Sequence, residues 1–167
     1  DATGCGSVET VEVFSPSEVM VDFDPMALSC FGSGDGEVRV TASGGAGGFM
    51  YQWNDPNNQT NSVAQNLDAG MISITVEDAS GCIKIDSVEI IQPNEIEITP
   101  TAVATKCNGG SDGSISLDVN GGAGNYTYLW SDANNQTTST AQNLSPASYT
   151  VTVTDMNGCT AIESAPV

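Results

Sequence analysis

The sequence predicts an all-β protein built from tandem antiparallel β-sandwiches, and three observations carry that expectation. Apolar residues alternate at period two, with Gly, Pro, Asn and Asp punctuating them every ~8–12 residues, the signature of short half-buried strands. No stretch shows the apolar spacing of an amphipathic helix. The pattern also repeats: Asp1, Asp78 and Asp155 each open Asp-x-x-Gly-Cys, 77 residues apart both times. At that offset Cys30 falls on Cys107, Trp53 on Trp130, Gly44-Gly45-Ala46-Gly47 on Gly121-Gly122-Ala123-Gly124, and Gln65-Asn66-Leu67 on Gln142-Asn143-Leu144, with no insertion.

The strands follow in order. Val19, Val21 and Phe23, or Ile96 and Ile98, open each unit. Val38, Val40 and Ala42 share a face, then Phe49, Tyr51 and Trp53, then Ile72, Ile74 and Val76. The second unit supplies Ile115, Leu117 and Val119, then Tyr126, Tyr128 and Trp130, then Tyr149, Val151 and Val153. Ser73, Thr75 and Glu77, or Thr150, Thr152 and Thr154, occupy the opposite face, as a sheet wetted on one side requires. Ile83 and Ile85 share a phase that Val88 and Ile90 break, and Val8, Val11 and Val13 show the same break, so a bulge is expected in the last strand.

Residues 1–16 match 78–93 and read as the C-terminal strand of a preceding repeat. Repeat 1 is then 17–93 and repeat 2 is 94–167, an excerpt of a longer array. Pro16 and Pro93 stiffen short linkers, so successive units are expected to abut as a rod. Short strands with a Trp on the third point to tandem immunoglobulin-like (PKD-like) sandwiches. Leu144-x-x-x-x-Tyr149 has the form of a tyrosine corner, whereas repeat 1 has Ile72 in the Tyr position.

The ordered set Cys30, Gly32, Asp35, Gly36, Gly44-Gly45-x-Gly47, Tyr51-x-Trp53, Asn66-Leu67, Asp78-x-x-Gly81-Cys82 and Gln92-Pro93 resembles the SprB-type repeat of large surface adhesins in gliding Bacteroidetes-type bacteria. Repeat 2 matches from Cys107 to Cys159, with Ala147 in place of the turn glycine Gly70. The resemblance implies a secreted filament on the surface of a Gram-negative bacterium, exported by the type IX route and engaging polysaccharide or abiotic surfaces. It identifies no binding residue.

Charge narrows the partners. Twenty-one Asp and Glu face only Arg39, Lys84 and Lys106, with no His, for a formal net charge of −18. Nucleic acid is excluded as a partner, since its phosphates require clustered Lys and Arg. No run of ~18 apolar residues is present, so no membrane insertion is expected in this window. Catalysis is not expected either: there is no His for a triad, no serine elbow and no phosphate loop. Adjacent repeats of the same chain are the expected partners.

Disulfides would compensate for the small core of an ~80-residue unit. The simplest pairing is Cys30–Cys82 and Cys107–Cys159, leaving Cys5 for an upstream partner. An immunoglobulin-like topology sets Cys30 and Cys82 at opposite poles, which opposes that scheme. A Cys30–Cys159 bridge between repeats and unpaired thiols are the alternatives. Linking Cys82 to Cys107 would ask 25 mostly extended residues, about 80 Å, to double back.

No cofactor is required by the sequence. Asp35, Asp78, Asp112 and Asp155 are calcium candidates, with ordinary turn formation as the simpler role. Asn57, Asn58 and Gln59, repeated as Asn134, Asn135 and Gln136, offer amides to sugar hydroxyls or a neighbouring chain. Asn58 and Asn135, and Ser87 in Asp86-Ser87-Val88, are glycosylation candidates; Asn125 and Asn143 also fit Asn-x-Ser/Thr. Three functions fit: a stalk segment making multivalent contacts, a glycan- or calcium-binding module, and a self-associating filament subunit.

Overall fold

The computed structural model describes residues 9–12, 15 and 17–167. The expected strand of a preceding repeat over 1–16, the phase break at Val8 and Val13, and Cys5 lie largely or wholly outside the described residues.

Twelve strands and no helix form among the described residues. Repeat 1 holds β1 (Met20–Met26), β2 (Gly36–Ser43), β3 (Met50–Trp53), β4 (Val63–Leu67), β5 (Gly70–Glu77) and β6 (Ile83–Ile90). Repeat 2 holds β7 (Glu97–Val103), β8 (Gly113–Asn120), β9 (Thr127–Trp130), β10 (Thr140–Leu144), β11 (Ser148–Thr154) and β12 (Thr160–Pro166). All pairings are antiparallel, and each repeat has two three-stranded sheets, ordered β1-β2-β4 and β3-β5-β6, then β7-β8-β10 and β9-β11-β12. Consecutive strands that switch sheets in this order give the immunoglobulin-like sandwich.

Alternation makes the core. Val38, Val40, Trp53, Ala64, Leu67, Ile74 and Val76 pack from both sheets of repeat 1, and Ile115, Trp130, Ala141, Leu144, Val151 and Val153 do so in repeat 2. Both Trp side chains are 1 % exposed, and their indole N–H groups still donate, to the Asn61 and Thr138 carbonyls. Burying those rings without a partner for N–H would cost stability, so the carbonyls complete the site. Tyr149 Oη donates to the Ser145 carbonyl at 3.0 Å, closing a tyrosine corner in repeat 2. Ile72 fills that place in repeat 1 with a buried apolar side chain.

The bulge lies elsewhere than expected. β5 and β6 pair without interruption from Gly70↔Ile90 to Glu77↔Ile83. Lys84, Asp86, Val88 and Ile90 turn toward the sandwich, while Ile83 and Ile85 lie on the outer face, 60 % and 67 % exposed. The apparent phase break is therefore a strand that carries apolar residues on both faces. The irregularity falls instead in β4 and β10, where Gly36 opposes Leu67 and Glu37 opposes Gln65, leaving Asn66 unpaired; Asn143 repeats it. Both Asn adopt positive φ, 54° and 56°, a conformation Asn tolerates better than other side-chain-bearing residues.

Candidate functional site

The place where the two repeats meet is built from two turns. One is the β1–β2 loop of repeat 1, which carries Cys30; the other is the β11–β12 loop of repeat 2, which carries Cys159.

The β1–β2 loop is shaped by Asp35. Its Oδ1 accepts from Ser29 N–H at 3.0 Å and from the Ser33 hydroxyl. The Ser29 and Ser33 side chains, with the Ser29 amide, hold this carboxyl at about 2, below the usual 3.8. The loop is also pinned to the end of β6: Leu28 N–H donates to the Ile91 carbonyl at 3.0 Å and Gly32 N–H to Gln92 Oε1 at 2.9 Å. Gln92 of the closing Gln-Pro thus fixes the Cys30 loop.

Asp-x-x-Gly-Cys folds the other turn around its own carboxylate. Asp155 Oδ1 accepts from Asn157 N–H at 2.9 Å and Cys159 N–H at 3.0 Å, and Oδ2 accepts from Ala123 N–H at 2.7 Å. Gly158, at φ 85°, lets the chain close so that Asp155 N–H reaches the Cys159 carbonyl. The Ala123 amide is the foremost cause that holds the Asp155 carboxyl below its ordinary range. Asp78 repeats the design in repeat 1, taking Ala46, Ser80 and Cys82 N–H and the Ser80 hydroxyl; the Ala46 amide first among them lowers its pKa to about 2. Each carboxylate therefore fastens the β5–β6 or β11–β12 turn to the Gly-rich loop. Gly45 and Gly122 leave the room this needs: a Cβ on Gly45 would run into Asp78 Oδ2, and one on Gly122 would lie 2.6 Å from Asp155 Oδ2.

These turns present their sulfurs to each other. Cys30 and Cys159 form a disulfide with Cα atoms 5.7 Å apart, spanning 129 positions of sequence. Beside it Asn157 Nδ2 donates to the Ser29 carbonyl at 3.2 Å. Phe31, Ile96, Ile98 and Ile162 line the groove that flanks the bridge. The Cys30–Cys82 and Cys107–Cys159 pairing is thereby corrected: Cys82 and Cys107 are both exposed free thiols. Physically, the β1–β2 and β5–β6 loops of one sandwich sit at opposite poles, and only the neighbouring repeat brings a matching sulfur to Cys30.

The four calcium candidates do not converge. Asp78 and Asp155 are buried, and the N–H and O–H donors described above aim at both of their oxygens. Asp35 and Asp112 are exposed, each shaping a β1–β2-type loop; Asp112 Oδ1 accepts from Lys106 N–H at 3.1 Å. No cluster of three or more His, Cys, Asp or Glu arranged for a metal occurs among the described residues.

In the amide loops, Gln59 and Gln136 are engaged internally. Gln59 Nε2 donates to Asp55 Oδ2 and the Gln65 carbonyl, while Oε1 accepts from Gln65 N–H. Gln136 does the same with Asp132 and Gln142. Asp55 and Asp132, buried and absent from the sequence reading, organise these loops. Burial alone would raise both carboxyls, but hydrogen bonds outweigh it and hold them low, with the Gln59 side chain foremost at Asp55 and the Gln136 backbone N–H at Asp132. Their signal was Asp55-x-x-x-Gln59, echoed as Asp132-x-x-x-Gln136. Asn57, Asn58, Asn134 and Asn135 stay exposed, with Asn58 and Asn135 at φ 49° and 47°. Ser87 is exposed on β6.

Fold and junction together define a tandem of immunoglobulin-like sandwiches stapled across their boundary. A family model, the SprB repeat, matches residues 25–58 and 95–135. The chain carries SprB repeats, a kind found in cell-surface proteins, and a disulfide fits an extracellular location. These are non-enzymatic kinds of domain, and they fit a repeat segment of a surface adhesin.

Among solved structures, one described as the structural basis for Dscam isoform specificity shares 12 % identity, with 91 % of this chain and 46 % of that one covered, at a TM-score of 0.36. The amphioxus IgVJ-C2 molecule shares 11 %, covering 92 % and 98 %, at 0.37. The N-terminal four Ig domains of Dscam1 isoform 6.9 share 9 %, covering 93 % and 47 %, at 0.35. The chain spans just under half the length of both Dscam structures. No curated protein matches it.

Proposed function

We propose that this chain is a tension-carrying stalk segment of a long extracellular adhesin filament, of the kind that gliding bacteria export by the type IX route. The observation that carries this reading is the Cys30–Cys159 bridge, which fastens one repeat to the next beside the Pro93 linker. A module that acted alone would have no use for a covalent bond to its neighbour. Hydrogen bonding supports the same reading, since Gln59, Gln136, Asp78 and Asp155 spend their polar atoms on internal turns. Repetition then supplies reach, and it multiplies any weak contact that exposed side chains make with polysaccharide or an abiotic surface.

The test pairs small-angle scattering with a glycan array on the two-repeat chain. The stalk predicts one elongated shape with a sharp maximum dimension when oxidised, a broader distribution of dimensions after reduction, and no saturable glycan binding. Saturable binding to a defined glycan would overturn it in favour of a binding module. Growth of the scattering mass with concentration would favour a self-associating subunit.

A further inference from the structure

Cys30 and Cys107 are equivalent at the 77-residue period, and so are Cys82 and Cys159. One of each pair is bonded at the junction described above, and the other of each is an exposed free thiol. The two free sulfurs sit in the same local frames as the bonded ones. Cys82 N–H donates to Asp78 Oδ1 at 2.9 Å, as Cys159 N–H does to Asp155 Oδ1 at 3.0 Å. Gly110 N–H donates to the Cys107 carbonyl as Ser33 N–H does to that of Cys30, and Lys106 N–H caps Asp112 as Ser29 N–H caps Asp35.

We infer that Cys82 and Cys107 are the two halves of further junctions. Cys107 bonds to the β5–β6-type turn of a following repeat, and Cys82 bonds to the β1–β2-type loop of a preceding one. Each sandwich then donates one sulfur forward and one backward, so every boundary in the array carries a covalent staple. The inference rests on reading the two repeats as members of a longer array, and it extends the stalk by assigning both unpaired thiols. Each bond forms by thiol–disulfide exchange. A thiolate displaces one sulfur of an external disulfide oxidant, and the second cysteine thiolate then displaces the other. The two cysteines lose two protons and two electrons, and the oxidant leaves as two thiols.

The test is a fusion in which Val167 of the full chain runs directly into Phe14 of a second copy covering 14–167. Val13 and Val167 are equivalent positions, so the 77-residue phase continues unbroken through the join. Cys5→Ser in the first copy removes a thiol that has no partner in the fusion, which leaves the first copy's Cys82 and the second copy's Cys107 as the expected free thiols. After oxidation with glutathione disulfide, non-reducing peptide mapping should yield Cys30–Cys159 peptides and one Cys107–Cys82 peptide. Cys82→Ser in the second copy should abolish that peptide, and the same change in the first copy should leave it intact. Alkylatable thiols at the first copy's Cys107 and at the second copy's Cys82, in a fusion whose Cys30–Cys159 bonds have formed, would overturn the inference. So would loss of the peptide on changing the first copy's Cys82. Either failure would leave the stalk reading standing on its own scattering test.

Discussion

Breaking the Cys30–Cys159 bridge should change how far the chain extends under load more than it changes the native shape. Pulled from its ends while oxidised, the chain passes tension from β1 through Cys30 to Cys159 and out along β12. Everything between the two sulfurs is bypassed. The bond spans 129 positions, which at about 3.5 Å per residue locks away about 450 Å of contour length. Closing a loop of that size also removes denatured-state entropy worth about 5 kcal/mol in the chain-entropy account, shared by both sandwiches because the loop encloses parts of each. Optical-tweezers extension with handles at both termini measures this directly. Reduction, or Cys30→Ser with Cys159→Ser, should add about 450 Å to the fully extended length. Thermal melts of the double variant should fall in step. Equal extension lengths for the oxidised wild type and the double variant would refute the reasoning.

Three more outcomes are expected. Stability should fall as pH drops from about 4 toward 2, because carboxyls held at about 2 in the folded chain, Asp35 and Asp78, favour folding above their ordinary pKa and lose that contribution as they protonate. Urea melts at pH 7, 4 and 2 should show the decline, and Asp78→Asn should begin lower at pH 7 and decline less. Tyr149→Phe should cost about 1 kcal/mol by removing the bond to the Ser145 carbonyl, whereas Ile72→Phe in repeat 1 has no such bond to lose. Ile85→Thr should stay within about 0.5 kcal/mol of wild type because Ile85 faces solvent, while Ile90→Ala should cost about 2–5 kcal/mol, both read from denaturant midpoints.

Much of the fold was legible because it depends on short-range pattern. Period-two alternation places Val38, Val40, Trp53 and Ile74 inside, and the 77-residue echo states the same design twice. The register of β6 was misread because Ile83 and Ile85 are apolar on a wet face, and side-chain type alone does not say which face is wet. Asn66 and Asn143 carried the bulge signal within Gln-Asn-Leu, where left-handed backbone is affordable to Asn. The disulfide could not be read from one repeat at all. It depends on which loops the two sandwiches bring together, and the hydrogen bond that crosses their junction, from Asn157 to Ser29, joins residues 128 positions apart.

The staple beside the linker also governs rotation. Two bodies joined by a single strand of chain can swivel about its backbone bonds, so a twist applied at one end dissipates at the first joint. A second attachment, at Cys30 and Cys159, turns that point into a line. Only bending about the line stays easy, and torque must pass to the next sandwich. A filament assembled from such joints would behave as a chain of hinges, pliant in one plane and stiff in torsion.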